Sequence, residues 1–166
     1  LCSKLGVSRT AIWARIEALR KLGYDIAANP HTGYRLITSP DCLIASDLMA
    51  RIGKPRVIGR EIRVLKNTTS TNDEIEQMVR NGQPEGMVVF AESQSKGRGR
   101  LGRNWSSPYG KGLWFSILVR PNLRPSEITQ LTAATATAIV RAITHKTGLK
   151  PKIKWPNDIM LGDKKV

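Results

Sequence analysis

Acidic side chains, cysteine and histidine are all scarce in this chain. Against 27 Lys and Arg there are 13 Asp and Glu among 166 residues, for a formal net charge of +14 at pH 7. Such an excess points to polyanionic partners: nucleic acid, a nucleotide or an acidic protein. The two cysteines, Cys2 and Cys42, are far apart, and neither sits in a metal-ligand spacing. His31 and His145 also lie outside any metal motif and read as surface residues. No signal peptide and no apolar run long enough to cross a bilayer is found, so the expected location is cytoplasmic, with no membrane partner. Internal repeats and low-complexity tracts are absent too. Apolar residues make up 40%, enough for a real core in one domain or two small ones.

The stretch that stands out is Lys96 to Trp105, KGRGRLGRNW. Glycines spoil a helix, and nothing here is apolar enough for a core strand, so it reads as a loop. Glycine lets the backbone approach a ligand. Arginine offers a fork of donors to carboxylate or phosphate, and tryptophan a flat face for a base. The combination suits a small anion beside a nucleotide; an arginine-glycine segment holding nucleic acid nonspecifically is the other reading.

Upstream, Leu1 to Leu5 reads as a helix end and Gly6-Val7 as a turn. Ser8 caps a second helix that runs to Leu22, with Ile12, Ile16, Leu19 and Leu22 on one stripe. Two helices joined by a tight turn form the helix-turn-helix pattern, whose second helix presents its N-terminal residues to base edges. Ser8, Arg9 and Thr10 lie off the buried stripe, and Arg15, Arg20 and Lys21 can meet phosphates. Tyr24 to Ile37 reads as strand, Pro-Gly turn and strand, a hairpin placed as a wing. Trp13 is either exposed or packed under that wing. A small helical hairpin without a DNA role is the alternative. The module is expected to span 1–38, followed by a linker at 39–45 and a second module at 46–166. In that linker region Ser46 is expected to cap a short helix over Ile44 to Ile52.

In the second module, Glu61 to Leu65 reads as a strand. Thr68 to Asp73 is a run of caps before a helix at Glu74 to Val79, and hydroxyls beside free helix-start N–H groups make a polar socket or plain caps. Gly86 to Ala91 is an apolar strand, Ser106 to Lys111 a turn and Gly112 to Val119 another strand. Pro125 to Thr147 is a long helix capped by Ser126 and stopped by Gly148, its small residues suited to core packing. Lys152 to Trp155 is a strand, and Ile159 to Val166 a hairpin about Gly162-Asp163. Strands and helices mix without strict alternation, so the class is α+β.

Arg98, Arg100 and Arg103 can neutralise a carboxylate and a phosphate together. That lowers the main barrier when a carboxylate attacks the α-phosphate of ATP, and no general base is needed. Asp158 is a hard oxygen ligand suited to Mg²⁺, or a turn cap. Lys165 is a point charge for the transferring group, or a solvated hairpin lysine.

These motifs match a known family. Gly97 to Trp105 resembles the GRGRxGRxW loop of biotin protein ligases, Lys154 to Asp158 their KWPND motif and Ser70-Thr71-Asn72 their STN, with Gln94 in its place before the loop. Ser8 to Trp13 and Gly33 to Leu36 resemble the recognition helix and wing of bifunctional ligases that also repress biotin genes. The resemblance implies a winged helix-turn-helix followed by a mixed-sheet catalytic domain of the class II aminoacyl-tRNA synthetase-like, biotin–lipoate ligase fold. It implies synthesis of biotinyl-5′-AMP from biotin and ATP, then transfer to a lysine of the biotin carboxyl carrier protein of acetyl-CoA carboxylase. Ser70, Thr71, Asn72, Gln94, Gly97, Arg98, Gly99, Arg100 and Lys165 would hold biotin, with Arg100 and Lys165 catalytic. Arg103, Trp105 and Asn157 would serve the adenylate, and Asp158 the Mg²⁺. Ser8, Arg9, Thr10, Trp13 and Arg15 would bind operator DNA, and the adenylate would favour a homodimer. Against the family pattern the chain is expected to be a fragment, without the first helix of the DNA module, the glycine-rich strand after Lys165 or a small C-terminal domain. A biotin-sensing repressor without ligase activity and a lipoate-type ligase are the competing readings.

Overall fold

The computed structural model describes residues 2–30 and 32–166, in two compact units, Leu1–Val119 and Arg120–Val166. The readings of Leu1 as helical and of His31 as a surface residue lie outside the described residues.

In the first unit, helix α1 (Cys2–Leu5) and helix α2 (Arg9–Lys21) flank the Gly6 turn. Ser8 caps α2 as expected, its Oγ accepting from the Ala11 N–H at 3.1 Å. Strands β1 (Asp25–Asn29) and β2 (Gly33–Thr38) form the antiparallel hairpin. Of the helical stripe Ile12 is buried, while Leu22, one residue past the helix end, is exposed. Arg20 is not a free phosphate ligand. It pairs with Glu17 at 2.6 Å and donates to the Ile26 carbonyl, so it ties α2 to β1.

The segment after the hairpin is pinned. The buried Tyr24 hydroxyl donates to Asp47 on helix α3 (Ala45–Ile52) at 2.5 Å, and the Leu43 N–H donates to Glu92 at 2.6 Å. Ser46 does not cap α3; Ile44 stands at that position and offers no side-chain bond, because the helix starts two residues earlier than a Ser46 cap would place it. The Asp47 hydrogen bond first, and burial second, raise the Tyr24 pKa above its ordinary 10.0. A raised folded-state value makes this stabilisation complete below pH 10 and lost as pH rises through the folded pKa. Tyr24→Phe is therefore expected to lose about 1 kcal/mol at neutral pH. It should also flatten the alkaline fall in stability above pH 10, which denaturant melts at pH 7 and pH 11 will read.

Strand β3 (Glu61–Thr68) pairs in parallel with β4 (Met87–Arg98). β4 also pairs antiparallel with β5 (Asn104–Ser107) and β6 (Trp114–Ile117), giving a four-stranded mixed sheet. Helix α4 (Thr71–Arg80) covers it, and Met78 and Ile75 pack on Met87, Val89, Leu65 and Leu118. The helix begins three residues before the sequence pattern does, because Ser70 caps it.

In the second unit, helix α5 (Ile128–Thr147) follows a 3₁₀ turn at Pro125–Glu127. Ser126 is not its cap. Glu127 instead reaches back to the Arg124 N–H at 3.0 Å, fixing the entry. Threonines survive inside α5 because Thr135, Thr137, Thr144 and Thr147 each donate to the carbonyl four residues back. Gly148 stops it in the left-handed region at φ 72°. Of its residues Ala136 is buried within this chain. Strands β7 (Lys152–Lys154), β8 (Asp158–Leu161) and β9 (Lys164–Lys165) form an antiparallel sheet. Among the described residues no helix is long and apolar enough to cross a membrane.

Candidate functional site

The glycine-arginine stretch is a β-hairpin and not a free loop, which corrects the expectation from composition. β4 continues through Lys96, Gly97 and Arg98, and Gly97 pairs with Trp105, Arg98 with Asn104. Backbone pairing carries the strand here, so apolarity is not required. A bulge lies between Gln94, which faces Ser107, and Gly97. Within it, the Lys96 N–H bonds the Thr69 carbonyl at 2.8 Å, just past the end of β3. Only residues 99–103 form the turn, closed by the Gly99 N–H on the Arg103 carbonyl at 2.7 Å. Its tip carries Leu101 at φ 58° and 91% exposed, an unfavourable conformation for leucine.

At the foot of this hairpin lies a polar socket. Gln94 Oε1 accepts from the Thr71 N–H at 2.8 Å and the Thr71 hydroxyl at 3.1 Å, and Gln94 Nε2 donates to Ser107 Oγ at 2.8 Å. Ser116 donates to Asn72 Oδ1 at 2.6 Å, and its Oγ lies 2.8 Å from Thr71 Oγ1, whose single proton can go to either Gln94 Oε1 or Ser116 Oγ. Ser70, Thr71 and Ser107 are at most 4% exposed. Gln94 and Ser116 are half-buried and Asn72 exposed, so hydrogen-bonded hydroxyls and amides at a helix start present a neutral, preorganised polar surface. Arg98 turns away from it, its Nη2 at 2.8 Å from Asp73 and 2.7 Å from Glu76 of α4. The Glu76 hydrogen bond is the main reason its pKa is raised.

In the second unit, Asn157 lies in the turn between β7 and β8 and helps line a groove of about 270 Å³ beside Leu131, Thr135, Ile139 and Ile159. Lys165 Nζ lies 2.6 Å from Asp158 Oδ1, which also accepts from Asn157 Nδ2 at 3.0 Å. Trp155 is 62% exposed.

The pattern of the biotin/lipoate A/B protein ligase family matches residues 62–166, and that of an HTH domain residues 1–35. The chain belongs to the biotin/lipoate A/B protein ligase family. It is 41% identical over 162 residues to the bifunctional ligase/repressor BirA of Bacillus subtilis, covering 97% of this chain and 49% of that protein. With the protein of the same name from Escherichia coli the identity is 32% over 163 residues, 98% of this chain and 49% of that one. The structure is similar to the biotin protein ligase of Aquifex aeolicus in complex with biotin and ATP, at TM-score 0.55 and 34% identity over 64% of this chain and 44% of that chain. The chain thus spans about half the length of the curated relatives it matches.

Within this ligase-family fold, Ser70, Thr71, Asn72 and Gln94 come together as the socket, and Gly97 is buried at its foot. Arg98 is engaged by α4, while Gly99, Arg100 and Arg103 lie at or beside the hairpin turn and Trp105 in β5. Asn157, Asp158 and Lys165 form one hydrogen-bonded and ion-paired cluster in the other unit. Ser8, Arg9, Thr10, Trp13 and Arg15 are all exposed on or at the start of α2. Arg9 also lines a groove with Thr32 and Tyr34 of the hairpin. Sequence reading missed Ser107 and Ser116: single serines in short strands have no motif, and only the bulge brings Ser107 opposite Gln94.

The donor set decides how Mg²⁺ could be held. No group of three or more His, Cys, Asp or Glu able to hold a metal occurs among the described residues, and Asp158 already meets Lys165 and Asn157. Asp158 alone fits only an ion that arrives on nucleotide phosphates, the usual manner of Mg²⁺.

Proposed function

We propose that this chain forms the DNA-binding and ligand-binding part of an ATP-dependent biotin–protein ligase that also acts as a biotin-responsive repressor. The carrying observation is the socket of Ser70, Thr71, Asn72, Gln94, Ser107 and Ser116 at the foot of an arginine-bearing hairpin. In the reaction, a biotin carboxylate oxygen attacks the α-phosphorus of ATP and pyrophosphate leaves, giving biotinyl-5′-AMP. The amine of an acceptor lysine then attacks the acyl carbon and AMP leaves.

The socket's hydroxyls and amides suit an uncharged polar ring, whose donors and acceptors they match with little reorganisation. Gly97, Gly99 and Arg100 belong to the biotin side, Arg98 joins them through its backbone place in the hairpin stem while its side chain is engaged by α4, and Lys165 is the second cation of this reading. Arg100 and Lys165 supply the fixed charge that lets two anions meet. Arg103, Trp105 and Asn157 belong to the adenylate side, and Asp158 to Mg²⁺ held by the phosphates. In this reading the acceptor is the biotin carboxyl carrier protein of acetyl-CoA carboxylase; in support, a protein of Mycobacterium tuberculosis, 30% identical over 106 residues, is named a biotin–[acetyl-CoA-carboxylase] ligase.

The matching HTH pattern supports operator binding by α2 with the β1–β2 hairpin as a wing, through Ser8, Arg9, Thr10, Trp13 and Arg15. We retain the division 1–38, 39–45 and 46–166, the class II synthetase-like fold, a cytoplasmic location and a homodimer favoured by adenylate as parts of this reading.

Incubation with α-labelled ATP, biotin and a carrier domain should give biotinyl-AMP and then a biotinylated carrier. Absence of both products with the chain and with any longer form containing it would reject the ligase. Lipoate outcompeting biotin would move the assignment to a lipoate-type ligase.

A further inference from the structure

Arg98 belongs to the motif, yet its guanidinium is bonded to two carboxylates of α4. Those carboxylates are themselves placed. Asp73 Oδ2 accepts from the Thr69 hydroxyl at 2.8 Å, and Asp73 lies in the first turn of α4, where negative charge is favoured. A second bond, from the Lys96 N–H to the Thr69 carbonyl, links the bulge of β4 to the loop before α4. One step further along, Gln94 joins β4 to the Thr71 N–H of α4. The hairpin stem is thus fastened to the start of α4 at three successive levels, the outermost through Arg98.

We infer that Asp73 and Glu76 are positioning residues, which hold Arg98 on α4 so that the stem of the 97–105 hairpin is fixed and its turn is presented to the ligand. The inference rests on the ligase reading and deepens it: the Arg98 side chain serves the stem, and Arg100 the ligand carboxylate. An isolated exposed ion pair contributes little. Here two carboxylates share one guanidinium and one of them is anchored by Thr69, so the arrangement is a coupled network whose members are not additive.

A mutant cycle separates this role from direct contact. Arg98→Gln alone and Asp73→Asn with Glu76→Gln should each raise the KM for biotin by about tenfold, with kcat for adenylate formation nearly unchanged. The triple variant should be no worse than either. Backbone amide exchange at Gly97, Arg98 and Trp105 should quicken in all three. If Arg98→Gln costs as much with the acids neutralised as with them present, Arg98 touches the ligand and the inference fails. Unchanged KM and unchanged exchange in the Asp73→Asn, Glu76→Gln variant overturn it as well. Should the unaltered protein make no biotinyl-AMP, the ligase reading falls, and the exchange measurement alone decides whether the fastening exists.

Discussion

Gly97→Ala should lose both stability and ligand binding, although it adds one methyl group to a glycine that looks like a flexible loop residue. A Cβ at position 97 would sit 2.4 Å from the Trp105 carbonyl oxygen and 2.8 Å from Ser107 Oγ. The first of these is backbone of the paired strand, so it cannot swing aside as a side-chain end can. Relief requires β5 to move from β4, which breaks the Gly97–Trp105 pairing and carries Ser107 away from Gln94. Overpacking of this kind costs roughly 3 kcal/mol, and for a chain of this size roughly 6–12 °C in Tm. Biotin binding should fall by roughly a hundredfold, because a socket shifted by an ångström loses most of its oriented hydrogen bonds. Gly102→Ala is the contrast. Nothing lies within 4 Å of its Cβ, and only its positive φ of 72° opposes the change, so its cost should be about 1–2 kcal/mol with binding largely kept. A Gly97→Ala protein with wild-type Tm and biotin affinity would show that the strands are not paired as described.

That contrast bears on what the sequence could disclose. The motif residues were readable because chemistry restricts them: glycine beside arginine, hydroxyls at a helix start, an Asn-Asp turn. Helix α2, its Ser8 cap and the following hairpin were readable from periodicity and turn residues, and the Gly162-Asp163 hairpin from its turn pair. The reason for Gly97 was not. Its lack of a side chain accommodates the backbone of a partner strand eight residues away, and composition alone makes that identical to a flexible loop. Arg98 read as a ligand-facing cation because its acidic partners lie 22 and 25 positions upstream, Glu76 in a helix and Asp73 in a run that looks like helix caps. Ser107 fell inside a stretch that reads as a turn, and one extra residue on β4 decides that it meets Gln94. Long-range register is a property of paired strands, and no single strand's sequence carries it.

Gln94 is where that register becomes function, and two substitutions there should diverge sharply. Gln94→Leu keeps much of the volume but removes the acceptor of the Thr71 N–H and the partner of the Ser107 hydroxyl, both in buried residues. Ser107 keeps its bond to the Trp105 carbonyl at 3.4 Å, so the buried Thr71 N–H is the group left without its acceptor, at roughly 1–3 kcal/mol, which corresponds to roughly 5- to 150-fold in biotin affinity if the cost falls on the ligand-ready socket. Gln94→Glu should be far milder. One carboxylate oxygen still accepts from Thr71 at the N-terminus of α4, where negative charge is favoured. The other oxygen faces Ser107, whose hydroxyl can rotate and donate instead of accept. Calorimetric titration of biotin into both variants, with melts of each, separates hydrogen bonding from shape. Equal losses in the two would mean that Gln94 acts by its size, and the socket would then have no polar logic to offer a ligand.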